Sequence, residues 1–199
     1  MTEKLAVGFA MALAIVGDGW YCWHIVAGPI SPSLATWLIF AIASTVSLAS
    51  YLKHNDEKKP FIANLANRYD PIVVWTIVAF IVFSPKSDMS LCRFDIGCLV
   101  ASGLILIVWA VTRSAITANL LIQLVMVAAY IPTFFRLLHG GRNTESFLMW
   151  EANLAVAALF LIPPIRRGDW LAVVYASRAI VCVAGIIAVM AYLQFFMPR

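Results

Sequence analysis

Eight side chains in this sequence are polar or aromatic groups set in or beside apolar runs, where polarity is costly: Asp18, Gln123, Tyr130, Trp150, Glu151, Asn153, Tyr175 and Arg178. Asp18, Glu151 and Arg178 are ionisable, and a charge inside hydrocarbon is expensive enough to mark a functional position by default. Arg178 does not readily give up its proton, so it needs a carboxylate, an anion, a watered cavity or an edge to reach. Asp18 and Glu151 are its candidate partners. Asp18 lies between Gly17 and Gly19, whose bare backbone admits a neighbouring helix or a ligand. It reads either as a cavity-facing carboxylate suited to proton coupling or as a structural partner for a base. Glu151 follows Trp150, with Asn153 just beyond, in the first turns of a later apolar run. They read as hydrogen-bonding groups beside a stacking surface, or, for Glu151, as a solvated residue near the interface. Tyr175 precedes Arg178 by three residues and shares its helix face. Gln123 and Tyr130, seven apart, share another. Gly17, Gly19 and Pro132 are the candidate hinges.

Other chemistries lack their signatures. No His-Glu-x-x-His or paired-cysteine motif points to a metal, and the three histidines are scattered. There is no glycine-rich lysine loop for a nucleotide and no Gly-x-Ser-x-Gly elbow. The reading is therefore of a chain without cofactor and without catalytic residues. The four cysteines, Cys22, Cys92, Cys98 and Cys182, show no metal spacing and read as small hydrophobes.

The elements that must position these residues follow from composition. Of the 199 residues, 63% are hydrophobic and 12% charged, with a mean hydropathy of +0.91. A soluble domain is about half apolar and a quarter charged, so lipid must solvate most of this chain. The low charge excludes disorder, and the lack of a glycine period excludes a collagen-like repeat. The net charge of +4 comes mostly from bases in loops beside apolar runs, where they set orientation and touch headgroups. Nucleic acid is not an expected partner.

A crossing helix needs about 20 apolar residues. Seven stretches qualify, at 5–27, 32–52, 62–84, 94–112, 115–137, 145–164 and 169–196. The first is long enough to remain in the bilayer rather than be cleaved as a signal peptide. The third is the shortest in clean apolar residues, so its helix is expected to start before Pro71, with an amphipathic turn at Phe61–Leu65. The polar segment Lys53–Pro60 reads as a solvated loop. With seven spans, Lys and Arg divide eight to five in favour of the N-terminal side, which predicts a cytoplasmic N-terminus. The trio Trp20, Tyr21 and Trp23 reads as an interfacial belt, with His24 a candidate pH-sensitive gate. Trp75, Trp109 and Trp170 read as packing or interface residues.

A shift of 113 residues aligns Gly28-Pro-Ile-Ser-Pro-Ser33-Leu-Ala-Thr-Trp37 with Gly141-Arg-Asn-Thr-Glu-Ser146-Phe-Leu-Met-Trp150. Both copies read Gly-x4-Ser-x3-Trp and fall between two spans. Glycine permits the turn, a Ser or Thr caps the incoming helix, and the tryptophan packs one turn inside. The chain thus parses as a three-helix repeat at 1–93 with a loop at 53–70, a linking transmembrane helix at 94–112, and a second three-helix repeat at 113–199. This all-α, 3+1+3 membrane fold places a binding cavity between parallel repeats.

This layout, with Tyr130-Ile131-Pro132-Thr133-Phe134-Phe135-Arg136 before Gly140-Gly141 and Thr144-Glu145-Ser146, resembles the PQ-loop superfamily, which includes the SWEET sugar transporters. Thr133 stands where that family usually has glutamine. Vitamin transporters of the nicotinamide riboside type resemble the same layout. The resemblance implies a secondary carrier for a small polar solute (a sugar, vitamin or nucleoside-like compound) in a bacterial inner membrane, working by alternating access. The same fold type also serves as a receptor or assembly subunit, so a homo-oligomer or a protein partner stays open alongside the solute and the bilayer.

Overall fold

The computed structural model describes residues 3–28, 30–54, 65–85, 89–111, 115–141 and 143–196. These form nine helices and, among the described residues, no strand. In order they are α1 (Glu3–Ala27), α2 (Leu34–His54), α3 (Leu65–Phe83), α4 (Arg93–Val111), α5 (Ala115–Ala128), α6 (Ile131–Gly140), α7 (Phe147–Phe160), α8 (Ile162–Arg167) and α9 (Trp170–Phe195). Helices are the expected outcome, because an apolar segment in lipid must satisfy every N–H and C=O within itself.

Two interruptions have a local cause. Pro132 lacks an N–H, and the chain tightens at Ala129 and Tyr130 before α6 restarts with proline in its first turn. The path is not reversed, since Phe134 N–H still donates to Tyr130 C=O at 3.0 Å. Leu161 likewise separates α7 from α8 just ahead of Pro163 and Pro164. With those joints included, four stretches among the described residues are long and apolar enough to cross a membrane. They are Leu5–Ala27, Leu120–Gly140, Phe147–Arg167 and Ala172–Phe195. The apolar run of α2, Leu34–Ala49, is shorter. The protein is an all-helical chain with the composition and helix lengths of an integral membrane protein.

The expected apolar runs coincide with α1, α2, α3, α4, α5–α6, α7–α8 and α9 to within a few residues. As expected, α3 begins before Pro71, which it carries internally. Residues 55–64, with most of the polar loop and of the amphipathic turn, lie outside the described residues, as does the side chain of Trp109.

Packing follows a repeated pattern. α2 packs on α3 as α7 packs on α9, and α1 lies against α7 as α5 lies against α2. Shifting by 113 carries α1 onto 116–140, the extent of α5–α6, and α2 onto 147–167, the extent of α7–α8. α4 rests chiefly on α5 and shows an apolar outer face through Val100, Leu104, Ile107 and Val108. The turns match in detail. Gly28 and Gly141 follow their helices with φ of 87° and 59°, in the left-handed region that favours glycine. Ser33 Oγ accepts from Thr36 N–H and Ser146 Oγ from Met149 N–H, each at 3.4 Å. The two turns also touch, with Ser31 N–H donating to Thr144 C=O at 3.2 Å.

Candidate functional site

A cavity of about 130 Å³ lies among α1, α2, α3, α5, α7 and α9, and no described side chain of α4 lines it. Six of the eight candidate residues are on its wall: Asp18, Tyr130, Trp150, Asn153, Tyr175 and Arg178. They reach it from four places in the chain, α1, the α5–α6 joint, α7 and α9, so the fold brings together what the sequence leaves far apart.

The structure does not bring Gln123 and Glu151 there. Glu151 is exposed, one turn inside α7, consistent with its reading as a solvated residue near the interface. Gln123 is buried, and neither side-chain polar atom has a hydrogen-bond partner. The face it was expected to share with Tyr130 is cut by the Ala129–Tyr130 turn. Among the hinge candidates, Gly17 is a close-approach point. A Cβ there would stand 3.1 Å from the Ala152 Cβ of α7, whereas one on Gly19 would meet nothing within 4 Å. Pro132 is buried in the first turn of α6. The interfacial reading suits Trp20 and Trp23, which are exposed, but not Tyr21, which is fully buried. His24 bonds through Nδ1 to Trp20 C=O of its own helix. Cys92 and Cys98 form no bridge.

At one end of the cavity, the α2 and α7 helix starts deliver Trp37 and Trp150 side by side, ring centroids 6.5 Å apart. Tyr130 lies 6.1 Å from Trp150 and meets Phe40 edge-on at 4.7 Å. Behind them runs a buried relay: Trp37 Nε1–H donates to the Tyr21 oxygen at 3.2 Å, and Tyr21 O–H donates to Glu145 Oε2 at 3.1 Å. Trp150 Nε1–H donates to the same Oε2 at 3.2 Å. Burial pushes the Glu145 carboxyl up to about 7, against the opposing pull of the Trp150 and Tyr21 hydrogen bonds and of Arg136. Glu145 sits in the α6–α7 turn, outside the helices. The sequence reading assigned Glu145 no role, and only its partners reveal it as a core group.

The other end is charged. Tyr69 O–H donates to Asp18 Oδ2 at 3.0 Å, and Tyr175 O–H donates to Asp70 Oδ2. Arg178 lies with its guanidinium carbon 4.9 Å from the centroid of the Tyr175 ring and within electrostatic reach of Asp70. The acid that Arg178 acts on electrostatically is therefore Asp70 of α3, a residue the sequence reading passed over. Nε and Nη1 of Arg178 are buried without a hydrogen-bond partner. The rest of the wall is apolar, with Val73, Val74, Met126, Met149, Val156, Phe160 and Val183. Among the described residues no group of three His, Cys, Asp or Glu could hold a metal ion.

No protein-family model, curated protein or solved structure matches the chain.

Proposed function

We propose that the protein is a secondary transporter of a small polar solute, working by alternating access between two three-helix repeats joined by α4. The observation that carries this reading is the cavity itself: helices of both repeats line it, no described side chain of the linking helix does, and it holds Asp18, Asp70 and Arg178 inside an apolar bundle. Charges are kept in such a place where they meet a solute or an ion. The matched helix bounds and matched turns under the 113-residue shift support the parallel 3+1+3 parse, with α8 as the end of the sixth span. A midplane site between repeats is where a rocking mechanism needs it. The aromatic end, with its buried relay, then acts as the closed gate, and opening it requires Trp37 and Trp150 to part.

The experiment is uptake into proteoliposomes, guided by thermal stabilisation of purified protein against sugars, vitamins, nucleosides and amino acids. A ligand at 100 times its Kd stabilises by about 2.7 kcal/mol. The expected result is a concentration-dependent stabilisation by a solute that also crosses the membrane, with both effects lost in Arg178→Gln. Normal stability together with normal uptake in Arg178→Gln sinks the site assignment. Tags at the two termini test the parse independently, because seven spans put them on opposite sides and six on the same side.

A further inference from the structure

The charged end of the cavity has a definite electrostatic demand. It holds two carboxylates, Asp18 and Asp70, against one guanidinium, Arg178. Asp70 takes the Tyr175 hydroxyl and is the acid nearest to Arg178 in effect. Yet Nε and Nη1 of Arg178 remain without partners although buried. A guanidinium holds a carboxylate in two-point contact through Nη2 together with either Nε or Nη1, so each unpartnered nitrogen can supply one arm of such a contact. Leaving such donors empty in an apolar bundle is costly, and the geometry is held rather than loose, since the head is stacked on Tyr175 at 4.9 Å. Asp18 receives one hydrogen bond from Tyr69, at 3.0 Å, which leaves carboxylate lone pairs for a further donor.

Resting on the transporter reading above, we infer that the solute is a small zwitterion, whose carboxylate docks on Arg178 and whose ammonium docks on Asp18. Each simpler alternative fails on charge. A plain anion meets Arg178 but enters beside two carboxylates. A plain cation suits Asp18 but leaves the Arg178 donors empty. A neutral polyol satisfies some donors but brings no cation to Asp18, which must then stay uncompensated in low dielectric or take up a proton. A zwitterion fills both sites and adds no net charge. Size limits the body between its two charges. The cavity, about 130 Å³, is comparable to an apolar cavity of ~150 Å³ that accepts benzene. The ligand is thus a short molecule whose apolar part rests against Tyr130 and Trp150, and a disaccharide is too large for it.

The test uses the full-length protein in detergent and three zwitterions of different body: glycine betaine, proline and phenylglycine. Proline and phenylglycine are each compared with their amide (a cation) and their N-acetyl derivative (an anion), and glucose is the neutral probe. The expected result is that at least one zwitterion binds with a measurable Kd. Its charge-deleted derivatives bind at least about tenfold more weakly, as the loss of a charge-assisted hydrogen bond requires. In Arg178→Gln the advantage of a zwitterion over its amide disappears, and in Asp18→Asn its advantage over the N-acetyl form (or, for betaine, over acetate) disappears. A merely structural role for either residue would weaken all members of a series alike. The inference is overturned if an amide, an N-acetyl form or glucose binds as tightly as the zwitterion, or if no zwitterion binds. Because binding is read in detergent, the two readings separate. A zwitterion that binds but is not taken up by proteoliposomes removes the carrier and leaves this inference. A neutral solute that is taken up while no zwitterion binds removes this inference alone.

Discussion

The two ends of the cavity solve the same problem, polar groups inside an apolar bundle, in opposite ways. At the aromatic end, Trp37, Tyr21, Glu145 and Trp150 exchange three hydrogen bonds at 3.1–3.2 Å, and each of these side chains is at least nine-tenths buried. At the charged end, Asp18, Tyr69, Asp70, Tyr175 and Arg178 are only partly buried and two guanidinium nitrogens go unpaired. A satisfied buried network rigidifies a core, whereas an unsatisfied one stores a demand that a ligand can meet. On the proposed reading the first end serves stability and the second occupancy, and substitutions should separate the two.

The largest effect is expected at the aromatic end. Trp150→Ala removes a ring that is 2% exposed and leaves Glu145 with one donor fewer. Core Trp→Ala substitutions cost about 3–5 kcal/mol, and denaturation in detergent should show a loss of that order. Arg178→Gln at the charged end takes the countercharge from Asp70, but both side chains are only partly buried, so it should cost less stability than Trp150→Ala, while uptake falls at least about tenfold. Equal stability losses in both variants would erase the distinction between the ends.

A pH titration sharpens the same contrast. Glu145 titrates at about 7 in the folded protein and near 4.5 when unfolded, so the folded state holds the proton more tightly. Its contribution to stability is fully present below about pH 4.5 and is lost as the pH rises to about 7, above which the buried carboxylate carries its full desolvation cost. At 1.36 kcal/mol per unit, the change across the window is about 3 kcal/mol. The difference between wild type and Glu145→Gln isolates it: the wild type should lose stability relative to the variant over that window, and parallel curves would show that Glu145 is not the titrating group.

These contrasts also mark how much was legible in the residues. The apolar runs were, because bilayer thickness fixes their length, and the observed helices start and stop near the expected positions. The turns were legible through Gly28, Ser33, Gly141 and Ser146, whose backbone and capping roles are local. The site was half legible. Asp18 and Arg178 stood out because charge is conspicuous inside an apolar run. Asp70 did not, since it follows Arg68 in the polar first turns of α3, where a carboxylate looks solvated. Its one signal was the shortness of the clean apolar part after Pro71, which requires the helix to begin upstream and so to carry Asp70. Glu145 was hidden for the mirror reason, as an acid in a turn whose burial depends on Tyr21, 124 residues away in sequence. Gln123 failed as a lining residue because a seven-residue spacing assumes an unbroken helix, and α5 ends at Ala128.

A smaller effect is expected for the hydroxyl that holds Asp18. Tyr69→Phe removes the donor at 3.0 Å and should cost about 1 kcal/mol, as a single hydrogen bond does. Because Asp18 is a docking group in the proposed site, solute affinity should shift as well. The matching deletion at the other end, Tyr21→Phe, takes the donor from a fully buried carboxyl and should cost more stability with less change in affinity. The reverse ranking would place the binding function at the aromatic end.

The smallest effects concern the glycines on either side of Asp18, and they separate a hinge from a contact. Alanine is favoured over glycine in a helix interior by about 1 kcal/mol. Gly19→Ala adds a Cβ that meets nothing within 4 Å, so it should stabilise by up to that amount and leave uptake unchanged if α1 moves as a rigid rod. A fall in uptake without loss of stability would instead identify Gly19 as a hinge. Gly17→Ala places a Cβ 3.1 Å from Ala152 Cβ, an atom fixed to the α7 backbone, so the helices must part by a few tenths of an ångström. That strain should offset the propensity gain and leave a net change near zero or slightly unfavourable. Adding Ala152→Gly opens the contact, and in that background Gly17→Ala should behave like Gly19→Ala. Coupling between the two positions is the signature of direct contact. Its absence would mean that α1 and α7 do not approach at Gly17, and with it would go the support that holds Asp18 at the cavity wall.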